Sequence, residues 1–260
     1  MTLQPHTYHH LTVHGTDIVY VTLNRPEVRN AFNELLINEL HQVFVHLDQD
    51  KDCRVIVLQG EGKTFCAGAD LNWMKSMVTY TIEENEADSR KMATMLNSIY
   101  RCSKPVIAKV HGDAYAGGVG LASVCDILVA STNVRFCISE AKLGLLPATI
   151  GPYVIRAMGE QNARRYFITA EVFSAQEAKV MGFVHELVEL DALDSTVDKF
   201  CQMIVNNGPR AVMACKKIVR DLSHQPISQD LIYETIRRIA SIRAGNEAQA
   251  LMKAFLEKSK

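Results

Sequence analysis

The chain has 260 residues, 48% of them hydrophobic and 22% charged, and a net charge of −1. That length suits one large domain or a domain with an appendage, and the balance is that of a globular protein rather than a disordered one. There is no basic field for nucleic acid, no apolar run near the ~18 residues of a membrane span, and nothing in MTLQPHTYHH resembling a signal peptide. The seven cysteines are odd in number, form no CxxC and lie mostly in apolar runs. Reduced thiols in a cytoplasmic protein are expected. The nine histidines form no HExxH. His9 and His10, beside a strand start, read as surface residues rather than ligands, and no metal site is expected.

In chain order, Asp17–Leu23 alternates β-branched residues and predicts a strand, which Asn24-Arg25-Pro26-Glu27 ends. Asn30 or Asn33 then caps a helix with Leu36, Leu40, Val43 and Leu47 on one face. Arg54–Leu58 (RVIVL) has the look of a strand buried on both faces. A turn at Gly60–Lys63 leads to Phe65-Cys66-Ala67-Gly68-Ala69-Asp70-Leu71, and Trp73, Met74 and Met77 continue on an apolar strip. Tyr80–Asp88 is acidic and reads as mobile surface. Arg90–Cys102 predicts a helix carrying Met92, Met95, Leu96 and Ile99. Pro105–Val110, Asp126–Ala130 and Arg135–Ile138 read as strands. Gly151-Pro152 opens a helix, Glu160–Thr169 makes another, and Ser174-Ala175-Gln176-Glu177 fits a capping box. Gly182–Val184 leads to a strand ending at Val188. From Asp191 the pattern is helical only, in four amphipathic stretches: 194–205, 209–222, 228–244 and 246–257. A β-β-α unit recurs near Asp17–Asp50 and Arg54–Arg101. This predicts an α/β spiral of short strands with helices outside.

Chemistry concentrates in the middle. Ala67-Gly68-Ala69 and Ala116-Gly117-Gly118 each follow a short apolar strand and precede a helical pattern. Such turns allow close backbone approach and leave early helix amides free. Two of them at neighbouring strand ends would aim two amides at one point as an oxyanion hole, or would simply pack helix on strand. Glu140 is the sole Asp or Glu between Asp126 and Glu160 and follows the apolar run Phe136-Cys137-Ile138. A carboxylate near apolar walls holds a proton more readily, which suits acid–base work. Asp113 and Asp126 lie near the small-residue cluster, Asp126 in a place to cap or brace a strand. Ser139 has no GxSxG elbow and reads as structural. GxxxxGK[ST] and GxGxxG are both absent.

These residues resemble the crotonase superfamily of enoyl-CoA hydratases and isomerases. Leu23-Asn24-Arg25-Pro26 with Asn30-Ala31 is similar to its first motif and Phe65–Leu71 to its second. Gly112–Leu121 with Cys125-Asp126-Ile127 is similar to its third, and Ser139-Glu140 with Leu143-Gly144 and Pro147 to its fourth. The resemblance runs nearly end to end. It implies a ββα spiral catalytic core over 1–200, a C-terminal helical oligomerisation region over 201–260, and a homotrimer or dimer of trimers. It also implies an acyl-CoA thioester as substrate, with coenzyme A part of that substrate and no separate cofactor.

By the resemblance, Ala69 and Gly117 supply the oxyanion-hole amides, and Glu140 aligns with the second of two hydratase glutamates. Val28, Ala67, Asp70 and Leu71 would contact coenzyme A or substrate. Phe255 and Lys258 would reach the nucleotide, in a neighbouring subunit. The first glutamate falls on Gly120, a departure from the pattern. The glycine is expected to leave space for a branched or carboxylated acyl group. The neighbourhood is most similar to bacterial methylglutaconyl-CoA or carboxygeranoyl-CoA hydratases. The resemblance therefore implies hydration of an α,β-unsaturated acyl-CoA. A single-glutamate enoyl-CoA isomerase and a non-catalytic acyl-CoA- or RNA-binding member are its alternatives.

Overall fold

Period-two alternation along the predicted strands places their residues alternately in two cores. The computed structural model describes residues 8–258. Its main sheet has the order β1 (Leu11–His14), β2 (Ile18–Leu23), β3 (Val55–Gly60), β4 (Val106–Val110), β6 (Ile127–Ser131), β9 (Glu186–Val188). Only the β1–β2 pair is antiparallel. Val55, Val57, Ile107 and Val129 face α8 (Leu193–Val205) and pack with its Leu193, Val197 and Cys201. Ile56, Leu58, Val106 and Ala108 face the larger core on the other side. The apolar character of RVIVL follows from this burial on both faces.

Parallel neighbours need crossovers, and helices supply them. α1 (Glu34–Gln49) links β2 to β3, and α2 (Leu71–Met77) with α3 (Ile82–Arg101) links β3 to β4. Asn33 caps α1 through the Leu36 amide at 2.8 Å. Leu36, Leu40, Val43 and Leu47 are fully or almost fully buried, each worth about 1.5–3 kcal/mol over exposure. Asn30 is not the cap. It is fully buried at φ 55°, accepts from the Arg25 amide and donates to the Glu61 and Thr64 carbonyls. It thus ties the first motif to the loop before Phe65. The acidic segment read as mobile is also corrected. Residues 82–88 are the first two turns of α3, whose N-terminus is a full Thr81/Glu84 capping box. Charge on these turns reflects an exposed face, not disorder. Met92, Met95, Leu96 and Ile99 are its buried residues, as expected.

A second, smaller sheet lies beside the first. β5 (Ala114–Tyr115) pairs parallel with β7 (Arg135–Cys137), which pairs antiparallel with β8 (Val172–Ser174). Single parallel bridges, Cys66 to Ala114 and Phe32 to Ala69, extend it towards α1. α4 (Gly117–Ser123) rises directly from the end of β5. α5 (Gly151–Met158), α6 (Glu160–Thr169) and α7 (Ala175–Val180) complete this half, and α7 carries the predicted Ser174/Glu177 box. Beyond α8 come α9 (Pro209–Leu222), α10 (Gln229–Ala244) and α11 (Asn246–Lys258), none of which contains a buried residue. Glu247 caps the start of α9 through the Arg210 and Ala211 amides. Among the described residues no helix is long and apolar enough to cross a membrane.

Candidate active site

Three parallel segments of the second sheet end side by side, and a candidate catalytic group stands at or just past each end. The segments are residues 65–69, β5 and β7. The Phe65 and Cys66 amides donate to the Asp113 carbonyl, and the Tyr115 amide donates to Cys66. The Ala116 amide donates to the Cys137 carbonyl at 2.7 Å. Ala69 ends the first segment, while Gly117 follows the second and Glu140 the third. Neighbouring strands, rather than sequence proximity, bring the three together.

Neither the Ala69 nor the Gly117 amide donates to any group among the described residues. On either side of Ala69 the chain is engaged, the Phe32 amide donating to Gly68 and the Asp70 amide to Phe32. The Ala69 N–H therefore points away from Phe32. Gly117 is the first residue of α4, where an amide has no intrahelical acceptor. Just before it, Ala116 has φ 47° and ψ −116°. A non-glycine residue in that region costs about 1–3 kcal/mol, borne here at the turn that presents Gly117. Gly68 lets the two turns meet. Its φ is 90°, and a Cβ there would sit 3.1 Å from the Ala116 Cβ and 3.7 Å from the Gly117 nitrogen.

The Ala69 turn is held from behind by a buried ion pair. Arg25 Nη2 donates to Asp70 Oδ2 at 2.9 Å, and Arg25 Nη1 donates to the Ala31 carbonyl. Asp70 Oδ1 accepts from the Asn72 amide and caps α2. Burial pushes the Asp70 carboxyl up, but hydrogen bonds from Asn72 and Arg25 outweigh it and leave it below its ordinary value. Arg25 stands in the first motif, yet its role was not assigned from sequence. The presence of a charge between an apolar strand and a proline was the available signal.

Glu140 opens a short 3₁₀ turn, Glu140–Leu143, that closes at Gly144 in the left-handed region. Its Oε2 is buried and has no hydrogen-bond partner among the described residues. Burial pushes the carboxyl above its ordinary value, and a bond from its own backbone amide only partly offsets this. An acid that holds its proton unusually well, with one oxygen unengaged, is suited to carry a proton.

The open space expected at Gly120 is absent. A Cβ there would lie 2.1 Å from Ile150 Cγ2 and 2.6 Å from Ile150 Cβ. Ile150, 2% exposed, fills the space. Gly120 serves the packing of α4 against the start of α5, and an apolar wall stands one turn along α4 from Gly117. Ile150 was not foreseen, because the contact joins residues thirty positions apart with no motif to mark it.

Val28 ends a 3₁₀ turn beside the first motif, and the Ala67 amide donates to the Arg29 carbonyl in the same loop. Leu71 is 74% exposed at the start of α2. Phe255, 71% exposed, and Lys258 lie on α11, which packs with α10 and the start of α9. Asp126 braces strand β4, accepting from the Val106 amide and pairing with Lys216. Asp113 pairs with Arg135 at 2.6 Å. Both are engaged structurally. Ser139 precedes Glu140 and its carbonyl accepts from Lys142. All seven cysteines are free thiols.

Comparison with known proteins agrees with this architecture. Residues 14–260 match the enoyl-CoA hydratase/isomerase family. A short-chain-enoyl-CoA hydratase of Clostridium acetobutylicum is 33% identical over 249 residues, covering 94% of this chain and 92% of its own. An (E)-benzylidenesuccinyl-CoA hydratase of Thauera aromatica is 30% identical, over 83% and 84% of the two chains. The crystal structure of an enoyl-CoA hydratase from Shewanella pealeana superposes with a TM-score of 0.93 at 38% identity, over 96% and 94%. The chain belongs to the enoyl-CoA hydratase/isomerase family and has the crotonase fold.

Proposed function

We propose that this protein hydrates an α,β-unsaturated acyl-CoA thioester through an enolate held by the Ala69 and Gly117 amides. The observation that carries the reading is Glu140, with one buried oxygen unpaired among the described residues and its carboxyl pushed above the ordinary value, at the third of three adjoining strand ends, the other two presenting unengaged amides. The thioester oxygen accepts from both N–H groups. As water oxygen bonds to the β-carbon, the double-bond electrons move to the α-carbon and the carbonyl, and the amides stabilise the resulting oxyanion. Glu140, ionised, takes the proton leaving the water and returns it to the α-carbon. Val28, Ala67, Asp70 and Leu71 line the path of coenzyme A. In a homotrimer, or a dimer of trimers, Phe255 and Lys258 of a neighbour close over the nucleotide. The exposed Ile232, Ile236 and Ile239 of α10 and Leu251 and Leu256 of α11 support such assembly, since apolar helix faces need cover. Coenzyme A arrives with the substrate, and the reaction calls on no other cofactor.

The acyl group we favour carries a second carboxylate, as in 3-methylglutaconyl-CoA. The Thauera relative, named for a substituted succinyl thioester, supports this class. One observation favours a second reading. With Ile150 where a second carboxylate would stand, a lone Glu140 is also suited to move a proton between the α- and γ-carbons, as in an enoyl-CoA isomerase. Mass spectrometry after incubation with crotonyl-CoA, a 3-enoyl-CoA and 3-methylglutaconyl-CoA separates these readings. A product heavier by one water means hydration, and unchanged mass at a new retention time means isomerisation. No product from any of the three would overturn the enzyme reading.

A further inference from the structure

Lys104 stands between α3 and β4 and is only 7% exposed, yet its Nζ makes no hydrogen bond or ion pair among the described residues. Buried charges are normally paired, and an ammonium brings three donors. The Nζ is not sealed off, since it is not one of the fully occluded unpaired atoms, which are Arg25 Nε, His41 Nδ1 and Glu140 Oε2. Lys104 lines a cavity of about 230 Å³ together with Lys51, Cys53, Arg54, Arg210 and Met213. Burial pushes the Cys53 thiol up to about 12 and the Lys104 charge opposes it, so the ammonium end of Lys104 reaches this wall.

Arg54 and Lys104 stand just before β3 and β4, whereas the Ala69 and Gly117 turns lie beyond the other ends of those strands, Gly60 and Val110. At about 3.3 Å per residue the strands span roughly 16–20 Å, which separates the cavity from the cleft that would hold the thioester. The nearby carboxylates are engaged elsewhere. Asp48 accepts from the Ser103 amide, Asp50 from the Asp52 amide, and Glu247 from the Arg210 and Ala211 amides. With the exposed Asp52 they balance the cations of the wall, so what is unmet is one acceptor for the ammonium and not a net charge. The cavity also sits at a joint. Arg54 Nη2 donates to the Val205 and Asn207 carbonyls, and Lys216 Nζ donates to the Lys104 carbonyl. These bonds hold α9, which buries no residue of its own, against the edge of the main sheet.

We propose that this cavity is an anion site, taking a small tetrahedral oxyanion such as inorganic phosphate, whose oxygens accept from Lys104 and Arg54 within and from Arg210 at the mouth. The volume lies below the ~300–1,000 Å³ usual for larger ligands, and a guanidinium beside an ammonium is the usual donor set for phosphate. A bound anion ties α9 to the core. Isothermal titration of the full-length protein with inorganic phosphate, at ionic strength held constant with sodium chloride, should show one saturable event per chain. Phosphate should raise the melting temperature in accord with the same dissociation constant. Lys104→Met removes the ammonium but keeps the stem, and should weaken phosphate at least about tenfold, in line with losing a charge-assisted hydrogen bond. Met213→Glu removes no cation but supplies an acceptor from the wall itself, and should abolish phosphate binding. Both variants should bind butyryl-CoA like wild type. The proposal is overturned if no saturable event appears, or if Met213→Glu or a folded Lys104→Met binds phosphate like wild type. Should Lys104→Met fail to fold, Met213→Glu alone decides. Loss of phosphate and butyryl-CoA binding together in a folded variant would make the cavity part of the substrate site and also overturn the proposal. The phosphate titration does not depend on catalysis, so it stands or falls apart from the proposed reaction.

Discussion

Asp70 and Glu140 each start a helical turn just past the end of a strand segment, and their surroundings drive them in opposite directions. Both oxygens of Asp70 are engaged, by Arg25 and by the Asn72 amide, and its carboxyl is held below its ordinary value. Glu140 has an unengaged oxygen in a desolvated position and is pushed above its ordinary value. A satisfied carboxylate fixes geometry, here the turn that presents the Ala69 amide. An unsatisfied one carries a desolvation cost, which the proton transfer proposed for Glu140 accounts for. Removing each in turn tests the contrast.

The largest effect is expected at Glu140. Glu140→Gln keeps the size and shape but cannot carry the proton, and turnover should fall by ~10²–10⁴-fold. Binding of the unreactive butyryl-CoA should be unchanged. Steady-state rates within a few-fold of wild type would erase the distinction between the two carboxylates. At Asp70 the loss should appear in stability instead. Asp70→Asn leaves the Arg25 guanidinium buried without its counter-charge and should cost about 3–5 kcal/mol in urea unfolding. A smaller cost is expected when Arg25→Met accompanies Asp70→Leu, because no charge is then stranded. Equal losses in the two variants would show that the pair contributes through packing alone.

Gly120 lies between these two regions and should respond more weakly. An alanine there gains about 1 kcal/mol in helix propensity but brings a methyl group against Ile150, an overpacking cost of about 1–3 kcal/mol. The net change should lower the melting temperature. Ile150→Ala removes the nearer of the two clashing atoms, Cγ2 at 2.1 Å. The double variant should therefore lose less than the sum of the single losses. Additive losses would mean that α4 and α5 shift freely and that Ile150 does not fix the wall.

Local signals made much of the scaffold legible in the sequence. The one-face spacing of Leu36, Leu40, Val43 and Leu47, the Ser174 box and the apolar RVIVL run each correspond to an observed element. The Thr81-x-x-Glu84 box was equally present in the sequence, but the acidic residues around it read as a mobile segment. The second sheet was harder to read, because β5 has two residues and the bridges at Phe32 and Cys66 have one pair each. Such short pieces carry no periodicity, and only their partners define them. The glycine turns and the isolated Glu140 stood out as candidates, whereas Arg25 behind Asp70 and Ile150 against Gly120 are long-range contacts that no spacing announces.

The smallest effect, a change in the pH dependence of stability, distinguishes the two carboxylates by sign. Glu140 has a folded-state pKa above its unfolded value. Between those values the folded protein binds more protons than the unfolded chain, so stability falls as pH rises through the window. Below the unfolded value there is no penalty, and above the folded value it is complete. Asp70 behaves oppositely, its contribution being present above its unfolded value and lost as pH falls through its lowered folded value. Glutamine cannot ionise, so Glu140→Gln should match wild type at acid pH and become the more stable of the two towards neutrality. Glu140 is only partly buried and solvent screens part of the term, so the difference is small beside the loss at Asp70. Urea unfolding of both proteins from about pH 4 to about pH 8, which spans the carboxylate range and the region above it, measures the difference. A gap that grows with pH supports the assignment of Glu140 as the carboxylate whose ionised form the fold disfavours. A gap independent of pH, or a variant less stable than wild type at neutrality, would show that Glu140 is as well satisfied in the folded protein as Asp70.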